Sequence, residues 1–225
     1  MTYSIAARCP RTGMFGAAVT TSSIAVGSRC AFARAGVGAV LTQHRTDPRL
    51  GPRGLALMEE GCSAAEAIAR VAADAPGIGL RQLAGVDRAG RTAWYHGADI
   101  TSIHAASEGE GCVAIGNIIR TPAVTAAMVA AFAARPEEHL AERLLVALEA
   151  GQHEGGEFRQ EKSAALLVVH EESFPLVDLR VDFDRAPIVE LRFLWENYQP
   201  QMQLYVDRAL DPARSDPPAA VRHHG

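Results

Sequence analysis

The chain has 225 residues, of which 48% are hydrophobic and 21% are charged, a balance typical of a soluble globular protein. The 22 basic and 26 acidic residues give a net charge of −4, which removes the electrostatic basis for binding nucleic acid. The start of the chain has no charged and apolar leader, and no apolar stretch approaches the roughly 18 residues of a membrane span, so we expect a cytoplasmic protein that does not bind a membrane.

Hydrophobic patterns predict the secondary structure along the chain. Apolar runs and alternation predict strands at 2–8, 14–21, 36–42, 80–86, 92–95, 112–117, 163–169 and 177–183. Helical spacing with capping or proline signals predicts helices that begin near Arg49, Ser63, Thr121, Pro136 and Pro187. Groups of strands alternate with pairs of helices, which favours antiparallel sheets with helices outside them. We expect one domain over residues 1–210 and a flexible tail over 211–225.

Thr2 is the first candidate for chemistry. A small residue after Met1 normally allows the initiator methionine to be removed, which would leave Thr2 with a free α-amine. Such an amine titrates near ~8 and can accept the hydroxyl proton, so one residue would supply both a nucleophile and its base. Many chains begin with Met-Thr without any catalytic consequence, and position alone does not separate the two interpretations.

Polar residues at the end of one predicted strand are candidates for substrate binding. Gln43, His44 and Arg45 follow an apolar run, and Arg45 could bind a substrate carboxylate through two parallel hydrogen bonds. These three residues could equally end the strand and satisfy the backbone of the loop.

Three further residues have a catalytic and a structural interpretation. The amide of Asn117 could donate to an oxyanion or hold the α-amine, although an asparagine that caps a strand is the commoner role. Arg81 could lie near the site or on a solvated face. Ser163 could form a hydrogen bond with the N-terminal amine, although a structural serine is the commoner role.

The cysteine and histidine spacing does not favour a metal site. The four cysteines form no CxxC pair and have no histidine at ligand spacing, so we expect buried thiols. His96 and His104 could still meet in three dimensions as a two-histidine site, although their spacing does not support one. We expect neither a metal nor another cofactor.

Ordered blocks along the chain resemble the DUF1028 family. They are the opening Thr-Tyr-Ser-Ile, then residues 26–27, 35–40, 42–43, 81–82, 116–118, 142–145, 150–151, 163–168, 179–182 and 187–191. This resemblance implies the N-terminal nucleophile (Ntn) hydrolase fold, an α+β four-layer αββα sandwich of two antiparallel sheets. That architecture agrees with the order of the predicted elements.

The resemblance also implies a reaction. Ntn hydrolases cleave amide bonds with an N-terminal Thr, Ser or Cys at the start of a central strand, the position that Thr2 would occupy. The proteasome branch places an Asp and a Lys beside its threonine, whereas residues 19–32 contain neither type here. The family's Asp-x-Arg-Gly-x-Gln-Ser stretch reads Glu-Phe-Arg-Gln-Glu-Lys-Ser at 157–163.

Two functions follow as hypotheses. The first is an amidohydrolase that cleaves a small amide with Thr2 after Met1 is removed. The alternative is a non-catalytic protein that keeps the fold for ligand binding or assembly. The resemblance to the Ntn superfamily also implies a homo-oligomer, with the alanine-rich helices at 121–134 and 138–150 as packing faces.

Overall fold

The computed structural model describes residues 1–213 and contains ten strands and six α-helices in that range. The strands are β1 (Thr2–Arg8), β2 (Phe15–Thr21), β3 (Ala31–Arg34), β4 (Gly38–His44), β5 (Arg81–Asp87), β6 (Thr92–His96), β7 (His104–Gly109), β8 (Cys112–Asn117), β9 (Ser163–Val169) and β10 (Val177–Val181). The helices are α1 (Leu50–Glu59), α2 (Ala64–Asp74), α3 (Ala123–Ala133), α4 (Leu140–His153), α5 (Pro187–Tyr198) and α6 (Met202–Leu210).

The strands form two sheets in which neighbouring strands are antiparallel. Sheet I has six strands in the order β10-β9-β2-β1-β8-β7, and sheet II has four in the order β3-β4-β5-β6. Strand β1 lies inside sheet I between β2 and β8. Because both of its edges are paired, the position of its first residue is fixed by two neighbouring strands: Thr2 is opposite Asn117, and Tyr3 is opposite Thr20.

Three apolar clusters show how the layers pack. Alternate residues of β1 face opposite ways: Tyr3 and Ile5 join the cluster under α3, α4 and α5, and Ala6 joins the cluster between the sheets. A third cluster joins α1 and α2 to the outer face of sheet II. Gly151 allows α4 to approach sheet I closely, since an added Cβ would lie 3.0 Å from Tyr3 Cε2. The predicted four-layer αββα sandwich is confirmed.

The structure adds three elements that the sequence patterns do not predict. Strand β3 is short, β7 lies at a sheet edge and contains no β-branched residue, and α6 follows the end of α5 after only three residues. The predicted strand at 177–183 ends at Val181, because the carbonyl of Asp182 leaves the sheet and accepts a hydrogen bond from Ala25 N. Of the predicted tail, residues 214–225 lie outside the described residues.

No helix within residues 1–213 is both long and apolar enough to cross a membrane.

The packing of α4 on sheet I gives a first prediction. Leu144 is fully buried in the cluster between this helix and the sheet, whereas Phe193 on α5 is 57% exposed. Leu144→Ala should lower the free energy of unfolding by about 2–5 kcal/mol, because it leaves a cavity, and Phe193→Ala should lower it by less than about 1 kcal/mol. Chemical denaturation measures both values, and equal losses would contradict this layer assignment.

Candidate functional site

A polar cleft of about 510 Å³ opens at the N-terminal end of β1. Its lining comes from several elements: residues 1–2, 21–23 and 44–46, together with Arg29, Cys30 and Arg81. The ends of β1 and β2 from sheet I and of β4 and β5 from sheet II therefore meet here. Such a concave site with convergent polar groups is the arrangement typical of a small-molecule site.

The hydroxyl of Thr2 lies at this cleft. The residue is 6% exposed, and its Oγ1 is 3.2 Å from Oγ1 of Thr21 on the neighbouring strand. Both hydroxyls donate to the carbonyl oxygen of Met1. While Met1 is attached, the Thr2 nitrogen is a peptide nitrogen without basic character, so the base of the expected mechanism exists only after Met1 is removed.

A buried polar network between the two sheets supports Thr2 from behind. Gln43 Nε2 donates to the Thr2 carbonyl oxygen at 3.4 Å and to Gln82 Oε1 at 2.8 Å. Ser4 Oγ donates to Gln43 Oε1 at 2.6 Å, and Asn117 Nδ2 donates to Gln82 Oε1 at 2.8 Å. These groups connect β1 to sheet II and to β8, so they fix the backbone of Thr2 rather than face the cleft.

A buried glutamate from a distant part of the chain lies beside the N-terminus. Glu157, between α4 and β9, is 3% exposed, and its Oε2 accepts a hydrogen bond from Ser22 N at 3.0 Å. Its Oε1 is buried and has no hydrogen-bond partner within the described part of the chain. Burial raises the pKa of Glu157 to about 8, while the charge of the Met1 amine acts against that rise. Burial also lowers the pKa of the Met1 amine, and Glu157 opposes that shift.

A second acid in the same segment holds Glu157 in place. Glu161 is also buried, and its Oε1 accepts hydrogen bonds from Glu157 N at 3.4 Å and from the Tyr3 hydroxyl at 3.2 Å. Burial together with this neighbouring carboxylate raises the pKa of Tyr3. The segment that departs from the family's pattern at 157–163 therefore packs directly against the start of β1.

The end of β4 turns sharply into the cleft. His44 has φ 72°, a left-handed conformation that is uncommon outside glycine and that Asn, Asp and His adopt more often than other residues. This turn places His44 and Arg45, successive residues, both in the lining. Burial lowers the pKa of His44, and its Nδ1 lies within hydrogen-bond distance of the Leu80 carbonyl oxygen. A neutral imidazole with its proton on Nδ1 satisfies that contact and leaves Nε2 as an acceptor.

Cys30 is the competing nucleophile in the cleft. Its thiol lies 3.7 Å from the Thr46 hydroxyl, and burial raises its pKa. A thiol with a raised pKa carries little thiolate near neutral pH, so it is a weak nucleophile compared with activated cysteines.

The structure separates the predicted site residues into groups. Thr2, His44, Arg45 and Arg81 line the cleft, whereas Gln43 and Asn117 belong to the buried network behind it. Ser163 donates to the Ser23 carbonyl oxygen at 2.7 Å and accepts from Val26 N at 3.1 Å, so it tethers the loop that follows β2.

Sequence reasoning missed other residues of the site. The structure adds Thr21, Arg29 and Glu157. The run of hydroxyl residues at 20–23 was a signal for the first of these. For Glu157 the signal was its place at the start of the stretch at 157–163 that resembles a family pattern, but its distance in sequence from Thr2 did not show that the two meet.

The two histidines that the spacing did not favour as a pair do meet. The rings of His96 on β6 and His104 on β7 are 4.9 Å apart between centroids, in an edge-to-face arrangement. Within residues 1–213, no group of three or more His, Cys, Asp or Glu side chains is arranged to hold a metal ion.

The comparisons with known proteins agree on one family. The family model described as "Family of unknown function (DUF1028)" matches residues 2–191. The crystal structure of protein SPO2555 from Silicibacter pomeroyi, described with the same family model, is 30% identical with a TM-score of 0.81, over 88% of this chain and 89% of that chain. No protein with a curated description matches the sequence.

Two more distant structures also show likeness. Anbu (ancestral beta-subunit) from Yersinia bercovieri is 12% identical with a TM-score of 0.40, over 89% of this chain and 96% of that chain. Anbu from Hyphomicrobium sp. strain MC1 is 14% identical with a TM-score of 0.39, over 92% and 98% of the two chains. Likeness at this level says nothing about activity. The family match covers most of the sequence, and the chain belongs to the DUF1028 family, whose function is unknown.

Proposed function

We propose that the protein is an Ntn-type amidohydrolase that cleaves a small amide with Thr2 as its nucleophile. The observation that carries this proposal is the position of Thr2: its hydroxyl lies in a polar cleft at the first residue of a central, doubly paired strand. A nucleophile on such a strand is held by backbone pairing rather than by a mobile loop, which favours a reproducible attack geometry.

The reaction would begin after Met1 is removed. The Thr2 hydroxyl attacks the substrate carbonyl carbon, and its proton passes to the Thr2 α-amine. The resulting ammonium gives the proton to the departing amine, which leaves an ester on Thr2. The free α-amine then takes a proton from water, the hydroxide formed attacks the ester, and Thr2 is regenerated with release of the acid.

Thr21 would help to stabilise the oxyanion. In the structure its hydroxyl donates to the Met1 carbonyl oxygen, an acceptor that disappears when Met1 is removed. The hydroxyl is then free to donate to the carbonyl oxygen of a substrate bound next to Thr2. A donor aimed at the place where negative charge develops lowers the barrier to attack.

Glu157 would position the amine, a role that could replace the Asp and Lys found beside the threonine in the proteasome branch. The support for this role is its Oε1, which has no hydrogen-bond partner within residues 1–213, and the attraction between its charge and that of the N-terminus. The low exposure of the site disfavours both charged forms, so the amine would be neutral and able to accept a proton at lower pH than a solvated amine.

The alternative function is a ligand-binding or assembly protein that retains this fold. The observation that favours it is the position of Met1, whose carbonyl oxygen accepts hydrogen bonds from the hydroxyls of both Thr2 and Thr21. If Met1 is retained, Thr2 has no amine and the cleft can only bind.

We propose that residues 1–210 form one domain, that the protein acts in the cytoplasm, and that it assembles into a homo-oligomer. Light scattering of the purified protein tests the last of these directly.

Replacement of Thr2 tests the proposed nucleophile. The intact mass should show that Met1 is absent, and Thr2→Ala should lower kcat/KM on a panel of small amides, lactams and ureides by roughly 10³-fold or more, because the attacking hydroxyl is gone. Thr2→Ser should retain activity within about tenfold, because it keeps both hydroxyl and amine. Thr101→Ala, at an exposed position, is the control and should leave turnover unchanged. Full retention of Met1, or turnover that Thr2→Ala does not change, contradicts the proposal.

The raised pKa of Glu157 predicts a pH-dependent stability. An acid whose folded pKa lies above its unfolded value of about 4.3 binds more protons in the folded state, so its contribution to stability is lost as pH rises through that window. With a folded pKa of about 8, the loss falls between about pH 5 and 8. Glu157→Gln should become more stable than wild type across this range, by on the order of 4 kcal/mol at its upper end.

Denaturation at several pH values measures this difference. Glu196→Gln, at an exposed position on α5, is the matched control and should follow the wild type at every pH. If the free energies of unfolding of Glu157→Gln and wild type differ by the same amount from pH 5 to 8, the pKa of this carboxyl is not raised.

A further inference from the structure

The cleft carries positive charge that the protein neutralises only in part. Three arginines line it, Arg29, Arg45 and Arg81, and within residues 1–213 its lining includes no Asp or Glu. Arginines that gather in a concave site with few acidic partners raise the local concentration of anions and favour their binding.

Arg29 is fixed in place by neutral acceptors. Its Nη1 donates to the carbonyl oxygens of Ile24 and Ala25, and its Nη2 donates to Ser23 Oγ, each at 2.6 Å. These contacts orient the guanidinium but leave its charge uncompensated, since no carboxylate within the described residues lies within ion-pair distance of it.

Arg81 is only partly neutralised. Its Nη1 donates to the Arg45 carbonyl oxygen at 2.6 Å, and its Nη2 lies 3.7 Å from Asp47 Oδ2. Asp47 is already bound by Arg49 through two hydrogen bonds, at 2.9 Å to Oδ1 and 2.8 Å to Oδ2. That two-point contact holds the pKa of Asp47 at about 2, so this carboxylate is paired first with Arg49, outside the cleft lining.

Arg45 is the arginine that is free to bind. Its backbone is anchored, because its N–H donates to the Leu80 carbonyl oxygen at 3.2 Å and its carbonyl oxygen accepts from Arg81. Its exposed side chain makes no ion pair with any residue in 1–213. Because the backbone is fixed and the planar guanidinium is not in an ion pair, its parallel N–H groups can bind both oxygens of a carboxylate.

We propose that the cleft takes a small amide that carries a carboxylate, such as an N-acyl amino acid, with the carboxylate on Arg45 and the amide carbonyl beside Thr2. This inference rests on the proposed function for the identity of the reacting bond. Arg29 and Arg81 add a long-range attraction, and the hydroxyls of residues 21–23 provide neutral polar contacts.

The binding test separates this inference from catalysis. Thr2→Ala keeps the cleft and a small second residue but has no nucleophile. Calorimetric titration of this variant uses N-acetyl amino acids of each side-chain class, each paired with its neutral N-acetyl amino acid amide. At least one acid should bind tenfold or more tightly than its paired amide, and its affinity should fall as salt is raised.

The arginine test uses a matched pair of variants in the Thr2→Ala background. Adding Arg45→Gln should abolish the preference for the acid while leaving the affinity for the neutral amide within about twofold. Adding Arg53→Gln, which removes an exposed arginine of α1 paired with Asp74, should change neither affinity. An acid preference that survives Arg45→Gln, or no binding of any acid up to roughly 10 mM, overturns the inference, since a two-point arginine contact should be detectable at that concentration.

Hydrolysis by the wild-type protein distinguishes the proposed amidohydrolase activity from the proposed carboxylate site. Selective binding of an acid by Thr2→Ala without its hydrolysis by the wild type would contradict the proposed function and leave the carboxylate site standing. Hydrolysis of acids and neutral amides with equal kcat/KM would leave the amidohydrolase standing and overturn the carboxylate site.

Discussion

The pairing of β1 on both of its edges is the constraint on which the site depends. Hydrogen bonds to β2 and β8 leave this strand no freedom to slide, and its alternate side chains are buried in two different apolar clusters. A shift of the strand by one residue would move Tyr3 and Ile5 out of the cluster under the helices and toward the layer between the sheets. Thr2 is therefore held at the sheet end, with the buried network of Gln43, Gln82 and Asn117 behind it.

Burial also sets the proton chemistry of the N-terminus. The same loss of solvent that raises the pKa of Glu157 lowers the pKa of the Met1 amine, and the two groups oppose each other's shift. In the proposed reaction the Thr2 amine would be the base, and a carboxyl group beside it would stabilise the ammonium that forms during attack. Arg29, Arg45 and Arg81 line the same cleft as Thr2.

Local patterns predict the layers and single out Thr2, but they do not predict the residues around it. Alternation in residues 2–8 identifies β1, and the element order predicts the two antiparallel sheets, because both depend on side-chain periodicity. Strand β7 and the contact of Glu157 with the N-terminus depend on chain segments that meet only after folding. Gln43 illustrates the same limit: its position at a strand end is predicted, but its burial between the sheets follows from the partner strand β5.

Thr2 is the proposed nucleophile, and it needs a free amine. Its most direct test is peptide mapping by mass spectrometry after the protein reacts with a β-lactone that carries a carboxylate. Attack by Oγ1 opens the ring and leaves an ester on the enzyme, with the proton transferred to the released alkoxide. We expect one adduct, on an N-terminal peptide that begins with Thr2. An adduct on Cys30, or an unmodified peptide that still begins with Met1, would contradict it.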